Sequence, residues 1–342
     1  MNMKSKVLSS FLLPIDGPET FARTAWLMGM IDAGLGSRIE KVSLLHVMEG
    51  KFLSTHMANV DIRTEFVLES ELFKRLKNQH IQQQIEPKMK EAEELLRKAG
   101  VKAPVDIRIE DGDPVGRIAE AAGSGYSTII MERRDLSPLK EVLVGSVTAR
   151  LLHRDIRASV YLVGKIEGRT ECPAGRCIIA VDGSAHSNAA VTEAALLLGG
   201  CSAVVKEVTL VHVLDAARFG EEVDQGKVPA ASTDMILSDA KKLLLDNGVP
   251  ADIISEVARF GDPAGVIEEE IRKRPNCMAF MGRRGRNAVS EIFMGSVSRK
   301  IVHHCPDHFV ALITADCVSY AKRVAGGALK CHRHCHCCRY MV

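Results

Sequence analysis

The strongest constraint on how this chain folds is that it repeats itself. Ile15-Asp16-Gly17 recurs as Val181-Asp182-Gly183, and Leu44-Leu45-His46-Val47 recurs as Leu210-Val211-His212-Val213, both at an offset of 166 residues. Gly112-Asp113-Pro114 returns as Gly261-Asp262-Pro263, and Val144-Gly145-Ser146-Val147 as Met294-Gly295-Ser296-Val297, at offsets of 149 and 150. Four landmarks in one order, twice, mean two copies of one unit rather than a single large domain. The change of offset places about 17 extra residues in the first copy between His46 and Gly112, where related units vary in loop and helix length. At 342 residues the chain is long enough for two ordinary cores.

Within each copy, short apolar runs alternate with helical patterns. In the second, Cys177 to Asp182, Lys206 to Val213, Ile253 to Arg259, Cys277 to Met281 and Phe309 to Ile313 read as strands. Between them Ser187 to Leu198, Asp234 to Asn247, Pro263 to Arg272 and Val297 to His304 read as helices. Alternating βα units predict a parallel sheet covered on both faces, so the fold class is α/β with two tandem, doubly wound, Rossmann-like domains. The first copy runs from Val7 to Val163, and its insertion, Asp61 to Ala99, is a charged helical excursion broken at Pro87. Gly164 to Gly175, with three glycines and Pro173, reads as a linker. The expected organisation is therefore a domain over 1–164, a linker over 165–175, a domain over 176–315 and a tail over 316–342. A linker this short predicts a pseudo-two-fold pair resembling a fused homodimer.

Composition removes several classes of function. A net charge of +2 argues against bulk-charge binding to nucleic acid, and no apolar run reaches membrane-spanning length. Ser9, Ser10, Pro14 and Asp16 interrupt the apolar start before a signal-peptide core can form, so a cytoplasmic location is expected. Ten cysteines without an export signal are expected to be reduced thiols.

The stretch with most chemistry is Met281-Gly282-Arg283-Arg284-Gly285, followed after nine residues by Gly295-Ser296-Val297-Ser298. A strand, a glycine-spaced loop and a helix opening with hydroxyls make an anion site. Glycines at 282, 285 and 295 permit close backbone approach, and the helix start presents free N–H groups, with Ser296 and Ser298 able to add hydroxyl donors. The alternative is a loop that needs positive φ at three places and a helix capped by Ser296. The stretch lacks GxxxxGK[ST] and so is not a P-loop. Arg283, Arg284 and Arg286 could supply positive charge as secondary contacts. No nucleophile and base pair stands out, and Glu291, the nearby carboxylate, reads as helix surface, so efficient catalysis is not expected.

The pattern GxxG, nine residues, then Gly-Ser, with Val-Asp-Gly-Ser at 181–184 and Val-His-Val at 211–213 upstream, resembles the nucleotide-binding branch of the universal stress protein family. The resemblance occurs twice and spans nearly the whole chain. It implies an adenine nucleotide alpha hydrolase-like fold, ATP with Mg²⁺ as ligand, and a role as stress-response sensor or regulator, with further protein partners and further dimerisation possible. By this resemblance Asp182 lies near ribose and phosphates, Val213 presents its backbone to adenine, and Gly282, Gly285, Gly295, Ser296, Val297 and Ser298 cradle phosphates. On the residues alone, Asp182 could equally make a turn or cap a helix, and His212 reads as a packed core histidine.

The first copy departs from this pattern. Aligned on Gly145-Ser146, Glu132 and Asp135 stand where Gly282 and Gly285 should be. Side chains there are expected to block backbone approach and to set carboxylates against a polyanion, although Asp16, Val47, Gly145, Ser146 and Thr148 persist. One competent nucleotide site, in the second domain, is the expectation. A nucleotide-free interaction module is the alternative.

The tail is a separate matter. Cys331, His332, His334, Cys335, His336, Cys337 and Cys338 are ligand types suited to Zn²⁺ or another soft metal. They are spaced too tightly for a folded zinc domain, which leaves opportunistic metal capture, up to a metal-handling role for the protein, or no function at all.

Overall fold

A computed structural model describes residues 7–48, 71–133, 145–164, 173–226, 228–285 and 294–315. The first half runs β1 (Ser10–Pro14), α1 (Pro18–Leu35), β2 (Lys41–Met48), α2 (Glu71–His80), α3 (Glu86–Lys98), β3 (Val105–Asp111), α4 (Pro114–Gly123), β4 (Thr128–Glu132), α5 (Ser146–Leu152) and β5 (Ser159–Val163). The second runs β6 (Arg176–Ala180), α6 (Ala185–Gly200), β7 (Glu207–Leu214), α7 (Ala216–Asp224), α8 (Pro229–Asp246), β8 (Ile254–Phe260), α9 (Pro263–Arg272), β9 (Met278–Gly282), α10 (Ser296–His304) and β10 (Phe309–Ile313). Among the described residues, no helix is long and apolar enough to cross a membrane.

The ten strands form one sheet in the order β3-β2-β1-β4-β5-β10-β9-β6-β7-β8. Pairing is parallel within each half and antiparallel where β5 meets β10. There Ala311 lies opposite Tyr161, flanked by Val310 opposite Leu162 and Leu312 opposite Val160. The repeat offset of 150 makes Tyr161 and Ala311 equivalent residues, so the pseudo-two-fold axis passes between them.

Strand side chains alternate between two cores. Phe11, Leu13, Tyr161, Ile179, Phe280 and Ala311 pack beneath α1, α3, α6 and α8. Leu12, Val160, Ile178 and Leu312 point the other way, beneath α4, α5, α9 and α10. Burial on both faces is why these strands are continuous apolar runs.

The recurring Gly-Asp-Pro landmark has a local cause. Gly112 and Gly261 sit at φ 135° and 152°, a region that disfavours a Cβ. The next residue caps the following helix: Asp113 accepts from the Gly116 N–H at 2.9 Å, and Asp262 from the Gly265 N–H at 3.0 Å. Proline then occupies the first turn, where its missing N–H costs nothing. Pro87 does not end its helix as expected. A π turn over Ile81–Ile85 joins α2 to α3 ahead of it, with the Glu86 N–H reaching back to the Ile81 carbonyl, and this spacing accommodates the proline ring.

Contacts away from the sheet also join the halves. Helices α1 and α6 cross at their carboxyl ends, where a Cβ on Gly200 would lie 2.3 Å from the Gly34 carbonyl oxygen, so neither backbone leaves room for a side chain. The halves also exchange arginines. Arg283, after β9, donates to the carbonyls of Leu152, Arg154 and Ile156 at the end of α5, at 2.6, 2.6 and 3.1 Å. Its equivalent Arg133, after β4, donates to Val302 and Cys305 at the end of α10, at 3.0 and 2.9 Å. Arg283 is 1% exposed and Arg133 5%. Burial lowers both to about 10, which leaves them cationic at neutral pH and suited to a helix carboxyl terminus.

Candidate functional site

In the second half the chain leaves β6 toward β7 and later returns to place β9 on the other side of β6. Strand order therefore reverses between β6 and β9, which opens a crevice beyond their carboxyl ends. A cavity of about 320 Å³ occupies that crevice. All eight residues singled out in this half line it: Asp182, Val213, Gly282, Gly285, Gly295, Ser296, Val297 and Ser298.

The floor is prepared by a histidine. β7 runs past the last paired residue of β6, and the Val181 N–H makes a final ladder bond to the Val211 carbonyl at 2.9 Å. A parallel ladder would next pair the Val181 carbonyl with the Val213 N–H. That carbonyl instead accepts from His212 Nδ1 at 2.7 Å, which leaves the Val213 main chain facing the cavity side. His212 is fully buried, as a core histidine should be. It repeats in the first half, where His46 Nδ1 donates to the Ile15 carbonyl at 3.0 Å.

On the second wall, both readings of the Val-Asp-Gly-Ser turn are present together. Asp182 Oδ1 accepts from the Ser184 N–H at 2.8 Å, forming a turn with Gly183 at φ 74°. Ser184 caps α6 by accepting from the Ser187 N–H at 3.1 Å, and the Asp182 carboxylate still borders the cavity. The facing wall is the start of α10. Gly295 is its N-cap and makes no side-chain cap hydrogen bond, so Ser296 is the first helical residue and not the cap. The first-turn N–H groups, at 296 to 298, lack carbonyl partners within the helix and lie at the cavity edge.

The glycines act differently from expectation. None of Gly282, Gly285 and Gly295 has positive φ, so backbone conformation does not select them. A Cβ on Gly282 would lie 2.8 Å from His186 Cβ and 2.9 Å from the Ser187 nitrogen, so this glycine lets α6 approach the strand end. On Gly285 a Cβ would meet Asp182 Oδ2 at 3.1 Å, toward the cavity. The Gly295 position allows ordinary contact with the Arg283–Gly285 backbone at 3.5 to 3.6 Å.

Two donors are also reassigned. Ser298 Oγ donates to the Gly282 carbonyl at 2.8 Å and is buried, so its hydroxyl proton ties α10 to β9. Arg283 points away to cap α5, as described above, and is no anion contact. Arg284 does line the cavity, 3.7 Å from Asp155 across the seam. Behind it, burial and then the charge of Arg284 hold His186 down at about 4, and its neutral Nδ1 accepts from the Ala315 N–H.

Sequence reasoning did not find Asp215 and Glu221, two more carboxylates lining the cavity. Glu221 arrives on α7, a helix of nine residues interrupted by Gly220 and too short to show periodicity. Asp215 follows the strand end two residues after Val213, a position that could have pointed to it.

In the first half, Glu132 does not project toward an anion site. Its carboxylate turns into α1 and accepts from Thr24 Oγ1 at 3.1 Å. Burial raises its pKa, opposed by Thr20, Arg23 and Thr24. Asp135, Arg286, Glu291 and the Cys/His tail from Cys331 to Cys338 lie outside the described residues. Among the described residues no group of three or more His, Cys, Asp or Glu is placed to hold a metal ion.

A doubly wound sheet, a crevice at the strand-order reversal and a glycine-spaced loop running to a helix start define the class of doubly wound α/β proteins with a pocket at the strand ends. Comparison with known proteins narrows the class. The universal stress protein family model matches residues 30–155 and again 174–308, and the chain belongs to that family. A Staphylococcus aureus (strain USA300) protein named for the same family is 30% identical over 134 residues, 38% of this chain and 78% of the relative. The crystal structure of a universal stress protein from Archaeoglobus fulgidus superposes with a TM-score of 0.59 at 21% identity, covering 90% of this chain and 98% of that one. A structure from Pseudomonas aeruginosa UCBPP-PA14 gives 0.53 at 14% identity, covering 94% and 98%. These two likenesses establish the shared fold.

Proposed function

We propose that the second half binds ATP in this crevice and that the chain acts as a cytoplasmic, nucleotide-responsive regulator in the stress response rather than as an efficient enzyme. The observation that carries this reading is the pairing of two backbone surfaces across one cavity: the Val213 main chain, past the last ladder bond between β6 and β7, and the first-turn N–H groups of α10. The former suits the donor and acceptor edge of a purine, the latter a phosphate. The volume is that of a small ligand pocket, roughly 300 Å³ or more.

The charges fit the group as well. Arg284 favours phosphate, whereas Asp182, Asp215 and Glu221 would repel a bare polyanion. Mg²⁺, which is held by one or two carboxylates together with phosphate oxygens, reconciles them. Asp182 is the residue nearest the glycine loop and would hold it there. Calorimetric titration of the full chain with ATP, with and without Mg²⁺, tests the proposal. Micromolar binding that weakens without Mg²⁺ supports it, and no heat in either condition points to the nucleotide-free interaction module.

A further inference from the structure

Tyr161 and Ala311 are equivalent residues that face one another on the pseudo-two-fold axis, both buried in the core beneath α1 and α6. A large side chain opposite its own equivalent requires that equivalent to be small. Two first halves joined in this way would set Tyr161 against Tyr161, and two second halves would set Ala311 against Ala311 over a void.

The contacts beside the axis are just as unequal. Glu193 on α6 is 5% exposed and accepts from both Ser159 Oγ and Tyr161 OH of the first half, each at 2.8 Å. Burial, with Glu193 beside it, pushes the Tyr161 hydroxyl well above its ordinary range, so it remains a donor. On the equivalent side of the axis the same three places hold Leu27, Phe309 and Ala311, all in one apolar cluster. The ring of Trp26 lies 6.3 Å from that of Phe309. One side of the seam is thus a carboxylate with two hydroxyl donors, and the other is hydrocarbon.

We infer that the seam is selective: each half's face accepts the other half and rejects a second copy of itself. Two second halves would bury Glu193 twice against Phe309 and Ala311, with no hydroxyl to donate to either carboxylate. Two first halves would bury the Ser159 and Tyr161 hydroxyls against Leu27 while crowding two tyrosines on the axis. The partner that fits the second half is therefore a face with hydroxyl donors at the places of Ser159 and Tyr161. Through this seam the chain neither pairs like half with like half of another copy nor captures a self-pairing single-unit relative.

The test cuts the full chain at a protease site placed within 165–172, mixes isotopically labelled and unlabelled cut protein, and counts the complexes by native mass spectrometry. Mixed pairs of one first and one second half are expected, with self-pairs at about one in a hundred or fewer. Glu193→Leu, which gives the second half a first-half residue, is expected to raise second–second pairs at least about tenfold. Self-pairs as abundant as mixed ones, or cut halves that separate into monomers, overturn the inference. A readout in the uncut chain is independent of cutting: Glu193→Leu lowers the urea midpoint, and adding Ser159→Ala with Tyr161→Phe recovers much of the loss. No recovery in that triple variant also overturns it.

Discussion

The two halves hold their first helix against the end of their fourth strand in opposite ways. In the second, Gly282 has no side chain, and α6 comes within contact distance of the strand backbone. In the first, Glu132 fills the equivalent position and ties α1 down through Thr24. What looks in a sequence like a lost glycine is a different means of attachment: a carboxylate–hydroxyl hydrogen bond in place of close backbone approach. The histidine that opens the strand ladder persists in both, as His46 and His212.

The largest effect is expected from breaking the exchange of arginines. Arg283→Ala leaves three carbonyls, two of them in buried contacts, without their cation and should cost about 3–5 kcal/mol, against about 2–3 for Arg133→Ala, which frees two. Urea unfolding of both variants measures the ranking, and equal costs would mean that the extra carbonyl contact of Arg283 contributes nothing.

Importing the first-half residue comes next. Gly282→Glu forces a Cβ into the His186 and Ser187 backbone, so α6 must shift, and about 2–3 kcal/mol should be lost along with ATP binding. The reverse change, Glu132→Gly, should cost about 1 kcal/mol and confer no nucleotide affinity. Full stability in Gly282→Glu would remove the contrast drawn between the two attachments.

Gly285→Asp separates binding from folding. Its Cβ meets only the end of the Asp182 side chain, which can move, so the thermal midpoint should hold. ATP affinity should fall by roughly ten- to a hundredfold through repulsion of phosphate. Calorimetry with unchanged affinity would place the phosphates elsewhere.

The effect that is smallest at neutral pH, and grows only on acidification, comes from His186. His186 is neutral in the fold, with its pKa near 4 against about 6.5 unfolded, so the unfolded chain takes up the proton first. Stability is then level above about pH 6.5, declines as pH falls toward 4, and levels again below. His186→Asn keeps an acceptor for the Ala315 N–H and should flatten part of that decline in urea midpoints. Part of the decline should remain, because burial also lowers His303 and His308. An identical pH profile would remove His186 from the account.

Much of this was legible in the sequence. Repeated landmarks and alternating apolar runs located the strands of the second half within a residue or two, and glycine spacing together with the family resemblance assembled eight residues that line one cavity. The roles of individual groups were less legible, because partners distant in sequence decide them. Ser298 is an available hydroxyl until the Gly282 carbonyl takes its proton, and Arg283 is a loop cation until the end of α5 is seen to need it. Glu193 is the one acidic residue of α6, and nothing near it in the chain announces Ser159 and Tyr161.

The exchanged arginines bear on the order of events during synthesis. The cation that completes α5 lies 131 residues further along the chain, so the first half leaves the ribosome with its last helix unfinished and its seam exposed. A chain ending between the halves would lack that cation and leave its seam uncovered, whereas the complete chain carries its own finishing piece at a local concentration no separate subunit could match.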